Sequence, residues 1–312
     1  MAQGDMNHAN SPPAPKLLGA NLICMASMLI WAAGLPAADV LIPLLSSDQL
    51  NALRMSLAAG FLVPVWALVE GWRPLAQINW LKGMAVGCLI GLGAWFLILG
   101  QARSGAVTVA VISASMPVFG VAFEVAFDGR KLTPGLGLGL ILSLFGGVMA
   151  LDLTGSDLSL GLGALFCFAS VASFTLGSRL TVTAFPDQSP LGRTAVTLTG
   201  AAVAACLVAA AQGQIGAPAP DFSAWRGKEI GAILLFSIGA LGISQLMFIM
   251  SVERLGIGLS ALHINAAPFY VMLILFGLGG AWNWSQAAAA ALVGLGVLIA
   301  QGLLPLPFGR RP

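Results

Sequence analysis

ARSGAVTVAVISASMPVF, residues 102–119, returns in altered form as ERLGIGLSALHINAAPFY, residues 253–270. A constant offset of 151 positions brings an arginine, a glycine and a proline into register: Arg103 with Arg254, Gly105 with Gly256, and Pro117 with Pro268. Each proline falls near the middle of a helix-length apolar segment, where proline frees a backbone carbonyl and permits a kink. The two stretches therefore predict a chain of two related halves with a hinge or cavity at the matching prolines.

The composition places both halves in a membrane. Of the 312 residues, 58% are hydrophobic and only 8% are charged, whereas soluble domains carry about 25% charged residues. The net charge of +2 and the lack of a basic run argue against a nucleic-acid partner. The four cysteines lie in apolar runs without CxxC spacing, which predicts small buried side chains rather than a metal or redox site.

Ten segments reach the length of about 20 mostly apolar residues that a spanning helix needs. They are 17–36, 50–70, 80–101, 105–127, 133–151, 158–180, 191–211, 228–251, 256–278 and 285–304. The polar, proline-rich residues 1–16 predict a disordered tail, and 305–312 form a second tail. The first five-helix repeat then covers 17–151 and the second covers 158–304.

Earlier helices match as well, at other offsets. The matches are Cys24-Met-Ala-Ser with Cys167-Phe-Ala-Ser, Gly34 with Gly177, and DQLNALR at 48–54 with DQSPLGR at 187–193. Because five is an odd number, the second copy enters the membrane from the opposite side. Inverted repeats are typical of secondary transporters, whose sites lie near the midplane between the halves. The predicted fold is all-α and integral to the membrane, with ten transmembrane helices in two inverted repeats.

Positive charge predicts the orientation, because cytoplasmic loops carry an excess of Lys and Arg. With the N-terminus inside, ten Lys and Arg residues fall on the cytoplasmic side, and four fall on the outer side: Arg54, Arg103, Arg226 and Lys228. We therefore expect a multi-pass protein of the cell inner membrane with both termini in the cytoplasm.

These features resemble the EamA family of the drug/metabolite transporter superfamily. The resemblance rests on the ten-helix inverted repeat, on Trp31-x-x-Gly34 near the end of helix one, on an arginine opening helix two, and on the small-residue-rich helix with a central proline. It covers 17–304 and is greatest for the YddG-type aromatic amino-acid exporters. One departure is Asp128-Gly-Arg-Lys, where many members end helix four with a Gly-Glu-Arg-like turn. The role of Glu124, one helical turn earlier, therefore stays open.

Polar side chains at membrane depth are costly and usually face the bundle interior or water. His263 and Asn265 lie in predicted helix nine, and Gln245 lies at a similar depth in helix eight. On an α-helix, His263 and Tyr270 share one stripe. We interpret this stripe as one wall of a partly wet cavity; the alternative is that these side chains only hold the helices together.

Aromatic and hydroxyl side chains supply further candidates. Trp31, Trp95 and Phe174 are deep in their predicted helices and could form an apolar wall against a ligand, or simply fill the core. Ser113 precedes Pro117, and its hydroxyl could bind a ligand or its own helix backbone. Pro117 is predicted to lie beside the same cavity.

The charges and motifs narrow the function. The middle thirds of the ten spans contain no Lys or Arg, so a neutral or zwitterionic substrate fits better than a phosphorylated sugar. No ATP-binding motif is present, and the GLGLGL of 135–140 lies within a predicted helix rather than after a strand. We therefore expect no cofactor and a process driven by a gradient.

The leading hypothesis is a secondary transporter that exports aromatic or neutral amino acids, or similar small metabolites, by alternating access. A drug or nucleobase exporter of the same fold is the alternative. An intramembrane enzyme is disfavoured, since the sequence has no HExxH or paired-Glu motif. The expected partners are the small-molecule substrate and membrane lipid, and a monomer is compatible with the sequence.

Overall fold

The computed structural model describes residues 14–129, 133–149, 158–216, 218–223, 225–255 and 257–300. Within these ranges the chain forms helices and connecting turns, and no β-strand. The helices are α1 (Ala14–Leu41), α2 (Ser47–Glu70), α3 (Trp72–Gln77), α4 (Trp80–Ser113), α5 (Met116–Asp128), α6 (Pro134–Met149), α7 (Leu158–Ala184), α8 (Pro190–Gln214), α9 (Gly227–Leu234), α10 (Ser244–Leu255), α11 (Ile257–Leu262), α12 (Ala267–Gly277) and α13 (Trp284–Ala300). A π-helical segment, Leu235–Ile243, joins α9 to α10, and a 3-10 turn, His263–Ala266, joins α11 to α12. The predicted tail at 305–312 and most of that at 1–16 lie outside the described residues.

In the described part of the chain, six helical stretches are long and apolar enough to cross a membrane. They are Leu18–Leu41, Ser47–Glu70, Trp80–Ser113, Gly161–Ala184, Pro190–Gln214 and Gly227–Leu255. The chain is therefore a multi-pass membrane protein. Four of the ten predicted spans do not form one long helix. The span 105–127 divides between α4 and α5, and the span 256–278 divides around the 3-10 turn. The spans 133–151 and 285–304 correspond to shorter helices, the 16-residue α6 and the 17-residue α13. The count of ten spans stays a prediction.

The long helix α4 bends at Gly105. A straight helix of its 34 residues would measure about 50 Å, well beyond a hydrocarbon core of about 30 Å. Gly105 has φ 78° and ψ 167°, a left-handed conformation that side chains with a Cβ rarely adopt. The glycine that the repeat brought into register is thus the residue that lets the chain change direction here.

Both prolines of the repeat open a new helix. Pro117 lies in the first turn of α5, and Pro268 lies in the first turn of α12. Proline lacks a backbone N–H, and the first helical turn is where that donor has no partner to lose. The kinks that the sequence permits are therefore full interruptions, one a turn at 114–115 and the other the 3-10 turn.

Helices of the first half pack mainly against helices of the second half. α4 lies against α7 and α8, α2 lies against α8, α1 lies against α10 and the π-helical segment, and α6 lies against α13. Small residues allow the helix backbones to approach each other most closely. In lipid the hydrophobic effect does not drive helices together, so their association depends on such close packing. A Cβ added to Gly34 would lie 2.3 Å from Cβ of Ala240, and one added to Gly177 would lie 2.8 Å from Cγ1 of Ile90.

Hydroxyl groups connect α1 to α10 within the apolar interior. Ser27 Oγ donates to the carbonyl oxygen of Ser244 at 2.7 Å, and Ser244 Oγ donates back to the carbonyl oxygen of Ser27 at 2.9 Å. Both serines are buried. This reciprocal pair holds the two helices in a fixed register.

Candidate functional site

A central cavity lies where α1, α2, α4, α5 and α7 meet the π-helical segment, α10 and the 3-10 turn. Most of its wall is apolar, and its polar members are Arg54, Ser113, Ser170, Ser244 and Gln245. The volume open to the centres of water molecules is ≈ 50 Å³, and one water needs about 10–15 Å³ on this measure. The cavity can hold a few waters, so a larger molecule must move its walls.

Four of the predicted site residues line this cavity. Trp31 of α1 and Phe174 of α7 contribute aromatic surface, and Ser113 ends α4 immediately before the turn. Gln245 of α10 donates through Nε2 to Ser178 Oγ at 3.5 Å, which leaves its carbonyl oxygen as an acceptor. The sequence thus located one side chain on each of four helices that converge on the cavity.

The structure does not bring the other five predicted residues to the cavity wall. Trp95 stacks on Phe96 with ring centroids 5.6 Å apart, Pro117 is buried in the first turn of α5, and Tyr270 packs against the core around α1. His263 and Asn265 lie in the 3-10 turn. Their role in binding stays a prediction.

The 3-10 turn changes which side chains of this region face the cavity. It has 3.0 residues per turn, whereas the predicted stripe assumed 3.6. Ile264 is the residue of the turn that lines the cavity, between His263 and Asn265. The Oδ1 atom of Asn265 is buried with no hydrogen-bond partner among the described residues.

Arg54 is the feature of the cavity that the sequence analysis missed. Only 2% of its surface is exposed, and its guanidinium carbon lies 3.9 Å from the centroid of the Phe236 ring. Its Nε and Nη1 atoms are buried and have no hydrogen-bond partner among the described residues. The cavity therefore contains a cation, although the middle thirds of the predicted spans contain no Lys or Arg.

The error came from the start of helix two. The predicted span began at residue 50 and left Arg54 one turn from an end, whereas α2 begins at Ser47, behind a capping box of Ser46 and Gln49. Gln49 N donates to Ser46 Oγ at 3.3 Å, and Ser46 N donates to Gln49 Oε1 at 3.2 Å. A Ser-x-x-Gln pattern is a recognised start signal, and it puts Arg54 about 10 Å along the helix.

Comparison with known proteins gives two likenesses. A family model described as the EamA-like transporter family matches residues 18–151, which is less than half of the chain. A solved crystal structure is 22% identical in sequence, with a TM-score of 0.66 over 92% of this chain and 97% of that chain. No curated protein matches the sequence. The chain is thus similar to EamA-like transporters over residues 18–151 and shares its fold with the solved structure over most of its length.

Proposed function

We propose that this chain is a secondary transporter of the drug/metabolite transporter superfamily that exports aromatic or neutral amino acids, or similar small metabolites, by alternating access. The observation that carries this proposal is the buried central cavity, in which aromatic walls meet hydroxyl groups and a single arginine. The similarity of residues 18–151 to EamA-like transporters supports transport as the process.

The packing of the helices supports the inverted repeat. In the first pair of helices, α1 packs against the π-helical segment and α10 through the contacts Ser27–Ser244 and Gly34–Ala240. The corresponding contacts between α7 and α4 are Ser170–Gly93 and Gly177–Leu89. In both cases the α1 and α7 members are 143 positions apart, and the other members are 151 positions apart. Two contacts along one helix pair that obey the same pair of offsets are expected if the halves are duplicates.

Alternating access needs rigid units and hinges, and the fold offers both. The α1–α10 and α4–α7 contacts are close because glycine and serine form them, so each pair moves as a unit. The interruptions at 114–115 and 263–266 precede α5 and α12. The cavity residue Ser113 comes directly before the first interruption, and the cavity residue Ile264 lies within the second. Rocking at these interruptions would open the cavity to one side of the membrane and then to the other.

The chemistry of the wall favours an amphipathic substrate. Trp31, Phe174 and Phe248 offer flat apolar surface for an aromatic or aliphatic side chain. Ser170 and Gln245 offer hydroxyl and amide groups for a polar end. An amino acid with an apolar side chain has both parts in a small volume.

The proposal includes the location in the cell inner membrane with both termini in the cytoplasm. Arg54, counted with the outer side, lies instead within α2 at the cavity. Removing it leaves ten Lys and Arg residues on the cytoplasmic side and three on the outer side. The bias behind this orientation therefore increases.

Counterflow in proteoliposomes tests the substrate. Vesicles that contain the purified protein and unlabelled phenylalanine should accumulate external labelled phenylalanine, and protein-free vesicles should not. Other aromatic amino acids should compete best, and alanine and threonine should compete less.

The mostly apolar wall keeps the drug or nucleobase exporter as the second candidate. Competition by ethidium or uracil without competition by any amino acid would select that candidate, and no phenylalanine counterflow would contradict the amino-acid proposal.

A further inference from the structure

The central cavity contains a cation for which the described part of the chain supplies no counter-ion. Only 2% of the surface of Arg54 is exposed, and the described residues provide no carboxylate within 4 Å of it. Arginine stays protonated in proteins. A buried charge without a partner is destabilising by several kcal/mol per ion in general, so its presence here requires a compensating group.

Phe236 compensates only part of this cost. The guanidinium carbon lies 3.9 Å from the ring centroid, close enough for a cation–π contact that occupies one face of the planar group. The donors of the guanidinium lie in its plane, where an aromatic face cannot accept them. Nε and Nη1 therefore remain unsatisfied while Phe236 holds the orientation of the plane.

The matching arginine of the second half shows what a satisfied partner set looks like. DQLNALR and DQSPLGR align Arg54 with Arg193, which is also buried. Arg193 donates through Nε to the carbonyl oxygen of Phe185 and through Nη2 to that of Pro186, both at 2.8 Å. Its Nη2 also lies 3.4 Å from Oε1 of Glu253, and among the described residues only Nη1 has no partner.

The first half has no carboxylate at the matching position. The offset of 151 that aligns the repeats places Ala102 where the second half has Glu253. The two arginines therefore differ in their surroundings: one is bound by its own chain, and the other faces a cavity whose remaining polar groups are neutral.

From this contrast we propose that Arg54 binds the carboxylate of the substrate, and that the substrate class is small monocarboxylates with an apolar body. The inference rests on the proposed transport function and narrows its substrate. A single guanidinium balances one negative charge, which matches a carboxylate better than a doubly charged phosphate. Arginine donors and carboxylate oxygens form charge-assisted hydrogen bonds, the strongest class of hydrogen bond in proteins.

Paired ligands that differ only in the carboxylate test the inference directly. The pairs are phenylalanine with phenylalaninol, and phenylacetate with phenylacetamide, titrated by calorimetry against the purified full-length protein. We expect the unmodified chain to bind each carboxylate about 10- to 100-fold more tightly than its partner without a carboxylate, as for a hydrogen bond to a charged group. Arg54→Gln should abolish this preference.

Arg226→Gln is the matched control, because Arg226 is an exposed arginine before α9 and does not line the cavity. It should leave the preference unchanged. Arg54→Lys provides a second test, the pH dependence of the preference, which a purely structural role of Arg54 would not produce. This variant also replaces Arg54→Gln if that variant does not fold. A buried lysine titrates at a lower pH than a free one, so its preference for phenylacetate should fall as the pH rises, whereas that of the unmodified chain should not.

Two results would overturn the inference: equal affinity of the unmodified chain for both members of each pair, or a retained preference in folded Arg54→Gln. A preference in Arg54→Lys that does not change with pH would also count against it. The proposed function fails separately. Phenylalanine counterflow without an Arg54-dependent preference refutes only the inference, and an Arg54-dependent preference for phenylacetate without amino-acid counterflow refutes only the amino-acid proposal.

Discussion

Gly87→Ala should destabilise the protein by pushing α4 away from α8. Gly83, Gly87 and Gly91 lie four residues apart on one face of α4, against α8. A Cβ added to Gly87 would lie 2.3 Å from the carbonyl oxygen of Thr197 and 2.6 Å from the backbone nitrogen of Ala201. Both atoms belong to the helix backbone, so no side chain can rotate to make room.

The size of the effect follows from these distances. Carbon and oxygen atoms in contact are normally about 3.3–3.6 Å apart, so the helices must separate by about 1 Å at this point. A gap of that size forfeits a quarter to a half of the local dispersion energy, and overpacking of a dense core costs about 1–3 kcal/mol. The higher helix propensity of alanine returns at most about 1 kcal/mol, so we expect a net loss of about 1–2 kcal/mol.

Thermal unfolding in detergent checks this prediction, with two other glycines as controls. A Cβ added to Gly91 would lie 3.3 Å from its nearest neighbours, and one added to Gly60 of α2 would meet no atom within 4 Å. The melting temperature should therefore be lowest for Gly87→Ala, higher for Gly91→Ala and unchanged or raised for Gly60→Ala. A Gly87→Ala protein as stable as Gly60→Ala would refute the close packing of α4 on α8.

Three further predictions concern the cavity and its frame. Trp31→Ala should weaken aromatic amino-acid counterflow more than alanine counterflow, and Trp95→Ala should have less effect, because only Trp31 lines the cavity; equal losses for both variants would contradict this. Ser27→Ala removes the hydroxyl donor to Ser244 and should lower the free energy of unfolding by about 0.6–1.7 kcal/mol. An unchanged melting temperature would show that this hydrogen bond does not stabilise the contact between α1 and α10. His263→Gln should keep the pH profile of transport, because His263 is not part of the cavity wall; a flattened profile near neutral pH would make His263 a proton site.

Hydropathy predicted the six long apolar helices but not where they end. The first predicted span stopped at Pro36, whereas α1 continues through this proline to Leu41. Membrane helices tolerate proline because neighbouring groups satisfy the freed backbone. Gln101 also anchors this part of α1 from α4, since its Nε2 donates to the carbonyl oxygen of Leu35 and to Oδ1 of Asp39, at 2.6 Å and 2.8 Å. No pattern within 17–36 contains this contact.

The repeat predicted the places where helices break, because glycine and proline act through the local backbone. It did not predict the kind of break at residues 263–266, and a 3-10 turn there moves Ile264, rather than His263, to the cavity. Arg54 was missed for a related reason. Its depth depends on the start of α2, which leaves a signal in the sequence. Its isolation depends on the eight elements that converge on the cavity, which leave none.

Accessibility of the cavity from both sides of the membrane tests alternating access most directly. Ser170 lines the cavity and is buried, so Ser170→Cys, in a transport-competent chain whose four native cysteines are replaced, places a thiol at the proposed site. An anionic, membrane-impermeant thiol reagent should block transport in right-side-out and in inside-out vesicles, and saturating phenylalanine should slow the reaction in both. Reaction from one side only, or from neither side in a protein that still transports, would contradict the account.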